Sequence, residues 1–460
     1  VRCRQVLGGY KFRLPSLRAA CARRLLLCAW LPCGLLVAGT VLAKPPLAVK
    51  MAVYRAENLN PRGQTLVLPY AFSAESTGTA FGVGGMLKGF YQDQMSMGGT
   101  VFAGEDTHAA FGGVWDYRLP FSRRLFISGN GMYGYYPRHR AYTAPRRFFL
   151  PAGVERPGSH ESSENVFLES EGFSNWVDLK LEYSLPIGAA AGDRGRIEYR
   201  LEEGLLVSEP SGGESWNPLN GGATVVGLRQ YNRYQSYETD RATFDGEVHA
   251  FELGLLHDNT DFPTNPSTGS SQYVAFHHDP AWGRDGGSWS FVELEGSKYF
   301  SLGSSDWARQ RIIALNAWTG YSPTWDLEYD DMGGSRVVDA PPFLEGASLG
   351  GFNRMRGFRD SRFNDKAAVY ATAEYRYTLD YNPIRNVSWL KFLNLDWFQL
   401  VGYVEAGRVA PEYELGTLLK DMKTDVGFSL RALTGGIVVR ADFSVSEEGS
   451  NFWVMVGHPF

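Results

Sequence analysis

Beyond residue 33 the chain has no cysteine; its four are Cys3, Cys21, Cys28 and Cys33. The rest can build neither a disulfide framework nor a zinc site of paired cysteines. After Ala43 no stretch approaches the ~20 apolar residues of a transmembrane helix, which argues against a helical membrane bundle. No His-Glu-x-x-His helix, nucleophile elbow or phosphate-binding loop is present, so the common hydrolase and nucleotide chemistries have no motif to stand on. Charged residues are sparse, at 21%. What is plentiful is glycine, with 53 residues, and aromatic side chains, at 14%. That pairing suits many strands with small residues between bulky ones, in a membrane or in a soluble sandwich or propeller.

The N-terminus reads as an export signal. Arg18, Arg23 and Arg24 precede an uncharged run from Leu25, and Val41-Leu42-Ala43 supplies small or aliphatic residues before a cut after Ala43. A membrane anchor is the alternative, because the uncharged stretch Leu25 to Ala43 is 19 residues long. Pro32 and the small residues at its end favour cleavage. Loss of residues 1–43 removes every thiol, which avoids wrong pairing in an oxidising compartment. It also leaves 38 basic against 50 acidic residues, a net charge of −12. That balance argues against nucleic acid as a partner, since phosphate binding needs a basic surface.

The remaining chain alternates with period two. In 176–185, Val177, Leu179, Leu181, Tyr183 and Leu185 oppose the mostly polar Trp176, Asp178, Lys180, Glu182 and Ser184. In 367–377, Val369, Ala371, Ala373, Tyr375 and Tyr377 oppose Tyr370, Thr372, Glu374 and Arg376. In 437–444, Ile437, Val439, Ala441 and Phe443 oppose Val438, Arg440, Asp442 and Ser444. Each run is about ten residues, the length of a tilted strand crossing a bilayer. The expected fold is all-β: a transmembrane antiparallel barrel of about 16 strands, with lipid on one face and a wet lumen on the other. A soluble antiparallel fold is the competitor. The export signal, the strand length and the charges repeated on one face favour the membrane.

Strand starts are expected near 79, 93, 107, 122, 174, 195, 221, 247, 270, 287, 307, 367, 395, 425, 437 and 451. Counting back from a periplasmic C-terminus puts the long 135–172 connection on the periplasmic side, where connections should be short. A strand is therefore gained or lost in the N-terminal half. The last run places Phe452, Val454, Val456, His458 and Phe460 on one face. Its terminal Phe460 has the form of the signal read by outer-membrane assembly machinery.

Two segments go further. Gly350-Gly351-Phe352-Asn353-Arg354-Met355-Arg356-Gly357-Phe358 resembles the inward sixth loop of the bacterial surface-antigen barrels, the superfamily that includes BamA, TamA and the two-partner secretion transporters. Met355-Arg356-Gly357-Phe358 matches the tip, with Met at its variable aliphatic position. Asp258-Asn259-Thr260-Asp261 with Pro266-Ser267-Thr268-Gly269 is similar to a turn of the same family, with Asp258, Asp261, Pro266 and Gly269 as its motif residues. Gly82-Val83-Gly84-Gly85 looks like an opening strand of such barrels. The resemblance spans most of 68–460. It implies that Arg356 folds into the lumen and meets carboxylates. A lone buried charge is costly, and alternation puts Glu374 and Glu405 on the lumen face. The second family acid is usually Asp, so Glu405 departs in length but not in charge.

The expected organisation is a signal peptide at 1–43, a short periplasmic segment at 44–70 and a barrel at 71–460. The segment 44–70 is too short for a POTRA module, so the chain resembles a barrel-only branch. The resemblance implies a bacterial outer-membrane protein that helps insert or translocate protein or lipid. Its partners would be outer-membrane lipids, the assembly machinery and a secreted or inserted protein cargo. A passive channel or structural surface antigen is the alternative, and a barrel enzyme a third. Gly82, Gly84 and Gly85 in the first strand, with Gly457 and Pro459 in the last, would weaken the seam between them. No catalytic residue, cofactor or metal is expected. His277-His278-Asp279 is no metal site, because adjacent strand side chains point to opposite faces.

Overall fold

The computed structural model describes residues 46–55, 63–74, 77–144, 148–192, 194–238, 243–282, 287–384 and 387–460; the expected signal peptide lies outside them. Sixteen antiparallel strands follow chain order in one sheet. They are β1 (Gln64–Ala74), β2 (Gly78–Lys88), β3 (Ser96–Gly104), β4 (His108–Arg118), β5 (Leu125–Ala141), β6 (Leu168–Ser184), β7 (Ala223–Glu238) and β8 (Thr243–Asp258). The sheet continues with β9 (Gly269–Asp279), β10 (Trp289–Ser301), β11 (Ala308–Tyr321), β12 (Ala367–Leu379), β13 (Leu395–Ala410), β14 (Lys423–Thr434), β15 (Ile437–Ser446) and β16 (Gly449–Val456).

The faces are inverted relative to a soluble protein. In β6, Val177, Leu179, Leu181 and Tyr183 are exposed, while Asp178, Lys180, Glu182 and Ser184 are buried. In β14 and β15, Val426, Phe428, Leu430 and Val445 are exposed, while Arg431, Arg440 and Asp442 are buried. Apolar side chains outside and charges inside are what a lipid-facing barrel requires. Among the described residues no register joins β1 to β16. The β1 edge nonetheless comes round to the far side of the sheet: a methyl group placed on Gly435, between β14 and β15, would lie 3.6 Å from Leu66 of β1.

The end at which β1 begins and β16 stops is termed proximal, the other distal. Both 142–167 and 322–366 connect strands at the distal end, and 322–366 is the sixth distal connection. The long proximal connection is 185–222, which contains the short strands Ile197–Glu202 and Leu205–Leu206.

The expected strand total is correct, but one expected strand lies outside the sheet and one strand of the sheet was not expected. The unexpected strand is Gln64–Ala74, which contains Pro69; β1 is an edge strand, where proline costs no ladder bond on its free side. The run near 195 is no barrel strand: Ile197–Glu202 pairs in parallel with Met51–Arg55. The two errors cancel in number while inverting every strand between them, which is why 135–172 seemed misplaced. The sheet thus starts at Gln64 rather than 71, and Gly82, Gly84 and Gly85 belong to its second strand. The last strand also ends early. Gly457, at φ +86°, turns the chain, so His458 and Phe460 are buried inside instead of continuing the outer face.

Candidate functional site

The sixth distal connection enters the lumen. Gly350 (φ +110°) and Gly351 (φ +101°) allow the reversal. The Gly350 N–H donates to the Arg354 carbonyl at 3.0 Å, and the Gly351 N–H to the Phe358 carbonyl at 3.1 Å. The tip is therefore a closed turn. Met355, at φ +60°, and Phe358 are buried with Leu349, Phe363, Tyr370 and Val409.

This turn drives Arg356 into the wall. Arg356 has no exposed side-chain surface; its Nη2 lies 3.0 Å from Glu374, its Nε 3.1 Å from Glu405 and its Nη1 3.5 Å from Asp442. Its backbone N–H donates to the other Glu405 oxygen at 2.6 Å, and its guanidinium lies 3.4 Å from the Tyr403 ring centroid. Burial opposes the charged form, but Glu405, Asp442 and Glu374 outweigh it and hold the Arg356 pKa well above its ordinary value. Gly357 is required by close approach, since a Cβ there would lie 2.5 Å from the Asp425 Cβ. Ser446 donates to the Gly357 carbonyl at 2.8 Å, and Trp453 Nε1 donates to the Arg356 carbonyl at 2.9 Å. One tip thus touches β12, β13, β14, β15 and the edge strand β16.

The proposed arginine and its two expected acids come together. Alternation had already set Arg376, Arg440 and Asp442 on the lumen face, but their part in the same cluster was missed. Arg431 and Arg376 both pair with Glu374, at 2.7 and 2.9 Å. Arg354 was missed as well: it lies 3.0 Å from Glu295 of β10 and 4.0 Å from the Trp318 ring centroid. Glu345, earlier in the loop, meets Arg233 of β7 at 2.9 Å. Beyond the tip, Arg362 pairs with Glu448 at 2.8 Å, and Asp365 pairs with Arg156 of 142–167 at 2.9 Å.

The other expected positions lie elsewhere. Asp258 and Asp261 shape the proximal β8–β9 turn: Asp258 accepts from the Thr260 N–H at 2.9 Å, and Asp261 from Ser267 and Thr268 at 2.8 and 3.2 Å. Pro266 is buried in it, and Gly269, at φ +95°, closes it where a Cβ would meet the Asn259 carbonyl at 2.1 Å. Phe460 stacks on Tyr299 at 6.3 Å and lies 5.0 Å from the Arg376 guanidinium. His277 faces the lumen, hydrogen-bonded to Tyr231 and Glu293, whereas His278 bonds to Ser290. Among the described residues no group of three or more His, Cys, Asp and Glu side chains is arranged for a metal ion.

A sequence profile described as the Omp85 superfamily domain matches residues 179–458. No curated protein matches the chain. Solved structures similar to it include BamA from Haemophilus ducreyi lacking POTRA domains 1–3, at 12% identity over 86% of this chain and 69% of that one, with a TM-score of 0.45. CdiB from Escherichia coli is similar at 12% identity over 86% of this chain and 60% of that one, with a TM-score of 0.49. CdiB from Acinetobacter baumannii follows at 10%, 86%, 58% and 0.42.

Proposed function

The chain belongs to the Omp85 superfamily, and from that premise we propose that it inserts or translocates protein or lipid at the bacterial outer membrane, with the sixth distal loop as its gate. The distal end faces outward and the proximal end faces the periplasm. Outer-membrane lipids surround the apolar face, and the assembly machinery reads the C-terminal segment that ends at Phe460 during biogenesis. The chain performs no catalytic step and needs no cofactor.

The observation that carries this reading is the reach of the loop tip. Met355-Arg356-Gly357-Phe358 occupies the lumen and is tied across five strands as far as Trp453 on the edge strand β16. A loop that leaves this position clears the distal half of the lumen and frees one edge of the seam in the same movement. An ion-paired tip suits that task. Its charges return to water when it leaves, which offsets the loss of the buried pairs.

The test is made in vesicles containing the purified chain. Insertion of an unfolded small barrel protein and transfer of labelled lipid between leaflets are both followed against empty vesicles. One of the two rates should rise, and Arg356→Ala should change it. If neither rises while the native chain passes a steady large current, the passive channel replaces this reading.

A further inference from the structure

Residues Pro46 to Arg55 enter the proximal mouth of the barrel. Met51–Arg55 pairs in parallel with Ile197–Glu202 over five residue pairs. The stretch before it lies along the lumen wall. Leu47 is 3% exposed and packs with Leu256, Tyr273 and Ala275. It faces Gly227 and Gly254, which are cross-strand partners in the β7–β8 ladder. A Cβ on Gly227 would lie 2.2 Å from Leu47 Cδ2, and one on Gly254 3.1 Å from Cδ1. The paired glycines therefore form a notch that receives one aliphatic side chain.

Three residues on, Lys50 has no exposed side-chain surface, and its Nζ lies 2.6 Å from Asp116 and 2.8 Å from Glu182. The main chain between them is held too. The Ala48 N–H donates to Glu182 at 3.3 Å, and the Pro46 carbonyl accepts from Lys180. Further out, Arg55 meets Asp396 of β13 at 3.0 Å, and Arg196, beside the parallel pair, meets Asp93 at 2.6 Å. The segment and its partner strand thus reach widely separated parts of the rim.

Main-chain contacts, one aliphatic notch and one acidic pocket at fixed spacing are the elements of extended-peptide recognition. We propose that the proximal mouth holds a binding site for an extended polypeptide, and that residues 46–55 are its resident, displaceable occupant. The ligand class is a strand-like segment with an aliphatic side chain followed three residues later by a lysine. The occupant can leave without breaking any ladder of the sixteen-stranded sheet, because its own pairing is with Ile197–Glu202. Its departure rehydrates Lys50, Glu182 and Asp116, so the cost is far below that of stranding a buried charge. The site shares no residue with the Arg356 cluster and stands whether the cargo is protein or lipid.

The test uses the full chain in detergent and in vesicles, with trypsin cleavage after Arg55 as the readout. Gly227→Val fills the notch, while Lys50→Met and Leu47→Asp alter only the occupant. Retained heat-modifiable migration on gels shows that each barrel is folded, and the two occupant variants keep the test readable if Gly227→Val is not. Cleavage should accelerate by roughly tenfold or more in each variant, as expected when a docked segment opens locally. A fluorescent peptide of residues 46–55 should then bind Lys50→Met saturably and Gly227→Val at least about tenfold more weakly. The same peptide carrying Met for Lys should lose binding. Unchanged cleavage in the folded variants, or peptide binding that ignores both the notch and the lysine, overturns the proposal.

Discussion

Arg356 meets carboxylates from three strands, so its fork geometry matters as much as its charge. Removing one partner of a fully buried ion pair costs about 3–5 kcal/mol. Arg356→Ala should accordingly unfold at lower temperature on gels and expose 322–366 to protease. Arg356→Lys should recover only part of the loss, because a point charge cannot bridge Glu374, Glu405 and Asp442 together. Unchanged melting and protease resistance in Arg356→Ala would refute the role given to this residue. Lys50 offers a second check, through pH. Burial works to lower its pKa, yet Asp116 and Glu182 hold it above the ordinary 10.5. A cation with a raised folded pKa contributes stability in full below its free value and loses it as pH rises through the folded one. Protection of the Arg55 bond should therefore be flat from neutral pH to roughly pH 10 and fall only beyond it. The motif made Arg356 legible, and alternation made Glu374 and Glu405 legible. Asp442 lay on the right face but is remote in sequence, so only the curl of the sheet could show that it belongs to the same arginine. Lys50 carried no signal, since one lysine in a short segment looks like any solvated charge.

At the scale of elements, period two is most readable where lipid and lumen alternate cleanly, as in β6, β12 and β15. It fails at the two edge strands. In β1 the run Leu66-Val67-Leu68-Pro69-Tyr70 is apolar at successive positions and contains a proline. In β16 the alternation continues on paper to Phe460, whereas the backbone turns at Gly457. Both departures sit where strand pairing is one-sided, so local pattern carries less of the structure there. The same one-sidedness gives a prediction. Edge amides without a ladder partner open more readily than those paired on both sides. Hydrogen exchange should be faster on the outer edges of β1 and β16 than in β9 and β10, each paired on both sides. Trp453→Phe keeps an aromatic side chain, though a smaller one, and removes the bond to the Arg356 carbonyl, worth about 1 kcal/mol. It should speed exchange in β16 and at the loop tip while leaving β6 to β9 unchanged. Equal exchange across all sixteen strands would mean that the seam is as firmly paired as the rest.

The whole molecule has a lumen occupied from both ends. The distal loop is bolted by Arg356 on one side and Arg354 on the other, and the proximal mouth is crossed by residues 46–55 and their partner strand. Two obstructions along one path act as resistances in series, so whichever one remains keeps the current low when the other is removed. This separates a doubly stopped barrel from one with a single gate. In planar bilayers Arg356→Ala alone and Lys50→Met alone should each raise conductance only slightly over the native chain. The double variant should conduct far more than the two increments added together. Among the described residues the two sites share no hydrogen bond or ion pair, so their effects on melting should add within about 0.5 kcal/mol, as for independent sites. Additive stability with strongly non-additive conductance is the signature of stoppers that are energetically separate but share one passage. A large current from either single variant would show that the other segment leaves the path open and does not obstruct it.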